Sequence, residues 1–277
     1  PSTNNNQKLI ISKMKLKCII FDVDGTIADT EDLHRQAFNI AFSEYNIDWH
    51  WSEERYRKLL FISGGKERIR KCLAEDKTIS KDNNFVEELH KCKSENYRSI
   101  LASSDIKLRP GIQRLINQAK ENNIKLAIAT NSSTKNFTTL IRKTLDIEPE
   151  KLFNTIVTSN IIMDKKPSPE VYYRALADLE LSADNCIAIE DTANGNASAI
   201  KAGLRTIITT HAYTKDNDFS GASLVVNNLG EPKNGFCVDE KFHCEKSYID
   251  IDLLNTIIIN ENDFLLKKEC RIIGECV

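Results

Sequence analysis

The sequence predicts an α/β protein: a Rossmann-like, doubly wound parallel sheet with an all-helical domain inserted after its first strand. Three observations predict it. Leu16, Cys18, Ile19, Ile20 and Phe21 form an apolar run, read as a buried strand, that stops at two carboxylates, Asp22 and Asp24, followed by Gly25. Residues 33–105 then carry apolar side chains at three- and four-residue steps throughout. From residue 124 onward, short apolar runs alternate with helical patterns, the order that produces a parallel sheet covered on both faces.

Taken in order, residues 1–13 are polar and lack an initiating Met, so they are expected to be a flexible arm or the remnant of a trimmed leader. Leu16 to Phe21 is the first strand. The helical insert is read from Leu33, Ala37, Ile40 and Ala41, from Tyr56, Leu59 and Leu60, from Ile69 and Leu73, and from Val86, Leu89, Tyr97, Ile100 and Leu101. Arg109-Pro110-Gly111 breaks that pattern, with Pro110 placed to open a helix running to about Asn122. Strands are expected at Ile124–Ala129, Thr155–Thr158, Cys186–Ile189 and Thr206–Thr209, separated by helices at 134–145, 168–180 and 195–202. Leu224–Val226 is a candidate edge strand. The core is thus expected over 14–32 and 106–230, the insert over 33–105, and residues 231–277 remain an unassigned extension. Within it, Ile249–Ile259 is apolar enough for either a strand or a helix.

A chain of 277 residues with 41% hydrophobic content can bury a substantial core. Its 38 basic and 40 acidic residues leave a net charge of -2, so no broad field points to nucleic acid or to an anionic membrane. Small molecules are the expected partners, and a monomer is the expected state. No apolar run approaches the ~20 residues needed to span a bilayer, so a soluble protein is expected. The eight cysteines are scattered without any Cys-x-x-Cys spacing, and Cys18 and Cys186 sit inside apolar runs. That usage fits a reducing compartment and gives no zinc site, even where His243 adjoins Cys244.

The chemistry collects where the strands end. Asp22 and Asp24 stand at i and i+2 of an extended segment, on one side, where their charges repel unless a cation lies between them. Hard carboxylate oxygens call for Mg²⁺. Thr130-Asn131-Ser132-Ser133 follows the second strand and precedes a helix, offering hydroxyls, an amide and free N–H groups to an anion; taken alone, it reads as an ordinary N-cap. Glu190-Asp191 ends a buried strand, where unpaired carboxylates are costly without a cation. Lys166 lies in Lys-Lys-Pro-Ser-Pro-Glu just before a helix, a loop cation if taken by itself.

In that order, Asp22-x-Asp24-Gly25-Thr26, Thr130, Lys166 and Glu190-Asp191 resemble the four motifs of the haloacid dehalogenase superfamily, and the insert resembles that superfamily's C1-type cap. More narrowly, Glu31-Asp32-Leu33-His34, Gly64-Gly65-Lys66-Glu67-Arg68 and Tyr213-Thr214-Lys215 resemble the CbbY subgroup, whose members dephosphorylate xylulose-1,5-bisphosphate, a misfire product that inhibits Rubisco. Asn131 and Thr192 stand where related sequences often carry Thr and Ser, and both swaps keep a polar group.

The resemblance implies that Asp22 is a nucleophile forming an aspartyl-phosphate, that Asp24 is the general acid and base, and that Thr130, Asn131, Ser132 and Lys166 surround the phosphoryl group. It implies Mg²⁺ held by Asp22, the Asp24 carbonyl, Asp191 and Glu190. It also implies a second phosphate gripped by Lys66, Arg68 and the N–H groups of Gly64 and Gly65, with Glu31 and His34 on the sugar hydroxyls. Gly64-Gly65-Lys66 lacks the spacing of a nucleotide P-loop, and Lys66 and Arg68 read equally as a solvated helix start. A β-phosphoglucomutase-like mutase would share every core motif, another small phosphatase such as phosphoglycolate phosphatase is a further alternative, a phosphonate hydrolase would use a cap lysine such as Lys66 as a Schiff base, and a non-catalytic binding module would tolerate erosion of the motifs. The expected location is the chloroplast stroma or the cytoplasm.

Overall fold

The computed structural model describes residues 15–76 and 83–259; the expected N-terminal arm, Cys270 and Cys276 lie outside them. Six parallel strands form one sheet in the order β3-β2-β1-β4-β5-β6: β1 is Cys18–Phe21, β2 Lys125–Ala129, β3 Thr155–Val157, β4 Cys186–Glu190, β5 Arg205–Thr209 and β6 Leu224–Val226. Central β1 pairs with β2 through Phe21 and Ile128, and with β4 through Phe21 and Ile189. Because the chain runs outward from β1 in both directions, the sheet's switch point falls between β1 and β4.

Both faces of β1 are fully buried, as its unbroken apolar run requires. Ile19 and Phe21 face one layer, packed with helix α5 (Ile112–Glu121) and α6 (Thr134–Leu145). Cys18 and Ile20 face the other, with α8 (Glu170–Leu179) and α9 (Ala193–Lys201). Alternation at period two puts successive side chains into the two layers.

Between β1 and β2 lie α1 (Glu31–Glu44), α2 (Glu53–Leu59), α3 (Gly65–Glu75) and α4 (Asn83–Ser103). They carry a hydrophobic cluster of their own, built on Phe38, Phe42, Trp51, Tyr56 and Ile69. Tyr213, from the loop after β5, inserts into that cluster, so the core lends the cap one ring.

The structure corrects some of the expected bounds and fills in what the sequence left open. Helix α5 starts at Ile112 and not at Pro110, because Gly111 takes φ +86° as its N-cap, where a Cβ would lie 2.6 Å from the Gly230 carbonyl oxygen. A short helix, α7 (Pro149–Leu152), precedes β3, which ends at Val157. The ambiguous C-terminal run is helix α10, Ile251–Ile259, with Asp250 Oδ1 accepting the Leu253 N–H at 2.8 Å. The extension also joins the main core, through Phe236, Val238, Phe242 and Cys244 beside Ile249, Leu254 and Ile258.

Cys18, Cys72, Cys92, Cys186 and Cys244 are free thiols; Cys237 is disulfide-bonded, which departs from what a reducing compartment implies. Among the described residues no helix is long and apolar enough to cross a membrane.

Candidate active site

Asp22 follows β1 directly and remains in the ladder, its N–H donating to the Ile189 carbonyl at 2.9 Å. Gly25, at φ +83°, then turns the chain away from strand geometry. Lys166, 3% exposed, reaches in from the loop between β3 and α8. Its Nζ donates to Asp22 Oδ1 at 2.6 Å, the Ala129 carbonyl at 2.8 Å and Glu190 Oε1 at 2.5 Å, so one ammonium ties together the ends of β1, β2 and β4. Burial disfavours its charge, but Asp22 and Glu190 outweigh that and hold it protonated well above the usual lysine range.

The carboxylates show the reverse. Burial pushes Asp22 up to about 8, against Lys166 and with help from Glu190 and Asp24. Burial likewise raises Asp191 to about 6 against its hydrogen bond from His211, and it raises Glu190 against Lys166. Asp22, Glu190 and Asp191 can each offer a ligand atom within 4.8 Å of the others'. Glu190 Oε2 is buried with no hydrogen-bond partner. Three buried carboxylates, two of them held by one ammonium and the third by His211, with an orphaned oxygen among them, lack positive charge, and a hard divalent cation fits that deficit.

Asp24 behaves differently. Burial works against its ionised form, but His34 beside it and hydrogen bonds from His34, Thr30 and Ser132 win, and the carboxyl is held below the usual range. His34 Nε2 lies 3.0 Å from Asp24 Oδ1, and Thr30 Oγ1 donates to the same oxygen at 2.7 Å. Behind His34, the buried Lys93 places its Nζ 2.7 Å from Nδ1, and Tyr97 stacks on the imidazole at 3.9 Å. Burial pushes Lys93 down to about 7.

Above these groups is a cavity of about 440 Å³ between sheet and cap, lined on the sheet side by Asp22, Asp24, Thr130, Asn131, Ser132, Lys166 and Asp191. Thr130 Oγ1 accepts the Ser132 N–H at 3.0 Å, and Asn131 Oδ1 accepts the Lys166 N–H at 3.1 Å, shaping the loop after β2. Ser133 is the N-cap of α6.

Glu31, His34, Gly64, Gly65, Lys66 and Arg68 line the opposite side of the cavity. Their commitments differ. Arg68 spends Nε on the Leu59 and Ile62 carbonyls at 3.2 and 2.9 Å and donates to Tyr56 Oη at 3.2 Å, which makes it a strut of the cap. Lys66 pairs with Glu87 on α4. Glu31 accepts the Tyr56 hydroxyl at 2.9 Å. A Cβ at Gly64 would lie 2.0 Å from Glu67 Oε2, and one at Gly65 2.6 Å from His90 Nε2, so both glycines make room for polar neighbours.

Sequence reasoning missed Lys93, His211 and Tyr172. Tyr172, fully buried on α8, donates its hydroxyl to Glu190 Oε1. The one available signal for it was its place six residues beyond Lys166 on the next helix, which says nothing about Glu190.

A doubly wound sheet with a helical insert after its first strand, and with acids and one ammonium gathered at the shared rim, defines a capped α/β hydrolase. The family model of the haloacid dehalogenase-like hydrolases matches residues 19–209, and the chain belongs to that family. Protein CbbY of Rhodobacter capsulatus is 43% identical over 216 residues, covering 78% of this chain and 95% of the relative. CbbY from Rhodobacter sphaeroides, solved in complex with phosphate, is 39% identical with a TM-score of 0.74 over 77% of this chain and 94% of that one. A mutant of the same protein, in complex with xylulose-(1,5)bisphosphate, is 37% identical with a TM-score of 0.75 over 78% and 96%.

Proposed function

We propose that this chain is a Mg²⁺-dependent sugar-phosphate phosphatase working through an aspartyl-phosphate on Asp22, and that its substrate is xylulose-1,5-bisphosphate. The observation that carries this reading is Lys166 seated on both Asp22 and Glu190 at the floor of a cavity whose opposite wall carries Lys66 and Arg68. Likeness to the xylulose-(1,5)bisphosphate complex supports the choice of substrate.

Asp22 Oδ attacks phosphorus and the bond from phosphorus to the sugar oxygen breaks, dividing one difficult displacement into two easier ones. Asp24 supplies the proton that the departing oxygen takes up. Alone it would be ionised at neutral pH, but an entering phosphate dianion raises it, and His34, backed by Lys93, is the route by which a proton reaches it. Asp24 then removes a proton from the water that attacks the aspartyl-phosphate, releasing phosphate and restoring Asp22. Throughout, Lys166, Thr130, Asn131 and Ser132 face the charge on the transferring oxygens.

Asp22, the Asp24 carbonyl, Asp191 and Glu190 would hold Mg²⁺, which supplies positive charge against the phosphoryl group when bound. Glu31 is assigned to the sugar hydroxyls, with His34 beside it. Lys66 and Arg68, with the N–H groups of Gly64 and Gly65, are assigned to a second phosphate. Residues 33–105 act as the cap that chooses the substrate, over a core of 14–32 and 106–230. The enzyme acts as a monomer on a small molecule, in the chloroplast stroma or the cytoplasm.

A panel of sugar mono- and bisphosphates with Mg²⁺ tests the proposal. Xylulose-1,5-bisphosphate should be hydrolysed to a monophosphate and free phosphate, ribulose-1,5-bisphosphate should be rejected, and Asp22→Asn should abolish turnover. Transfer of the phosphoryl group to a second sugar, or wild-type rates in Asp22→Asn, would refute it.

A further inference from the structure

We infer that His211 is a positioning residue of the cation site, fixing the orientation of Asp191; the inference rests on the reading of Asp22, Glu190 and Asp191 as cation ligands. His211 lies in the loop two residues beyond β5, the strand beside β4, at whose end Glu190 and Asp191 stand. Its Nε2 is 2.8 Å from Asp191 Oδ2, and the two side chains are 4% and 1% exposed. The other nitrogen decides the tautomer. Nδ1 faces the Tyr213 backbone N–H at 3.4 Å and accepts from it, so the ring proton sits on Nε2 and is donated to Asp191.

The imidazole is held from its own backbone as well. The His211 N–H donates to Thr214 Oγ1 at 3.2 Å, and its carbonyl accepts from Thr214 and Lys215 at 2.9 and 3.0 Å, closing the loop into a tight turn. On the opposite side, the loop after Asp22 presses against the pair. A Cβ at Gly25 would lie 2.3 Å from Asp191 Oδ2 and 2.7 Å from His211 Nε2, which only glycine avoids at that φ. Thr26 Oγ1 donates to Asp191 Oδ1 at 3.3 Å.

Asp191 is thereby held at both oxygens. His211 occupies Oδ2, and Oδ1 keeps the capacity to accept a cation beside the Thr26 hydroxyl. A buried carboxylate that loses its donor rotates toward whatever partner remains, and the ligand set then has to be reassembled each time an ion binds. Partners of ligating residues typically hold about 10- to 100-fold of metal affinity.

The test is Mn²⁺ and Mg²⁺ binding to the full chain without substrate, followed by spin resonance and by calorimetry, for wild type, His211→Ala and His211→Gln. Glutamine places an amide N–H close to the position of Nε2. His211→Ala should weaken binding about 10- to 100-fold, and His211→Gln should recover most of it. Wild-type affinity in His211→Ala overturns the inference, and so does equal weakening in both variants, which would make the ring's shape and not its hydrogen bond responsible. If the wild type itself binds neither ion, the cation-site reading falls first, and the inference with it. Thermal unfolding without metal separates a purely structural role, which would lower both midpoints and leave the affinities unchanged.

Discussion

At the scale of single residues, the chemistry rests on buried charges whose states are set by their partners. Lys93 is the sharpest case among the cations: it is 5% exposed, its Nζ sits over the Phe38 ring at 4.7 Å, and burial lowers it from 10.5 to about 7. The unfolded chain keeps that lysine protonated up to its ordinary value. Between about 7 and about 10.5 the unfolded state therefore binds more protons than the folded one, and stability rises with pH through that window. Below the folded value the full cost of a buried ammonium is present. Lys93→Met removes the titration, so its stabilising effect should be larger at about pH 6 than at about pH 9.5, read from urea unfolding of both proteins at each pH. An equal effect at the two pH values would mean that Lys93 titrates normally.

At the scale of elements, the informative piece is α10. Ile251, Leu253, Leu254, Ile257 and Ile258 are all buried, and Leu254 belongs to the main core cluster. Leu254→Ala should cost about 2–5 kcal/mol of unfolding free energy with kcat per folded molecule unchanged, since the helix lies outside the active-site cavity. A loss under ~1 kcal/mol by urea unfolding would show that the helix is a loosely held appendage. The sequence could not place this helix because its run is apolar on nearly every side, and a buried strand has the same pattern. Strand ends were legible for the opposite reason: Asp22 and Asp24, Thr130 to Ser132, and Glu190-Asp191 each stand beside the apolar run that positions them. Lys93 and His211 were illegible because their partners lie 59 and 20 residues away along the chain. Nothing local distinguishes buried Lys93 from exposed Lys91 two positions earlier.

At the scale of the molecule, catalysis depends on how the cap sits over the sheet, and few polar contacts join them. Asn194 Nδ2 donates to the Phe61 carbonyl at 2.9 Å and to Ser63 Oγ at 3.1 Å, and Tyr213 Oη donates to Asp32 Oδ1 at 2.8 Å. Besides the contact of His34 with Asp24, Lys165 of the core, adjacent in sequence to Lys166, pairs with Glu67 of the cap at 2.8 Å. Both side chains are partly exposed, so solvent screens them and the pair holds the cap by only ~0.2–1 kcal/mol. That modest strength suits a contact which the proposed entry of substrate beneath the cap would break. Glu67→Gln and Lys165→Met should each raise KM up to about fivefold, in line with that energy, and leave kcat within about twofold, because neither touches the reacting groups. The double variant should be no worse than either single one, since the interaction can be lost only once. Additive increases in KM would instead assign the two residues separate contacts with substrate, and the latch would have to be sought at Asn194 or Tyr213.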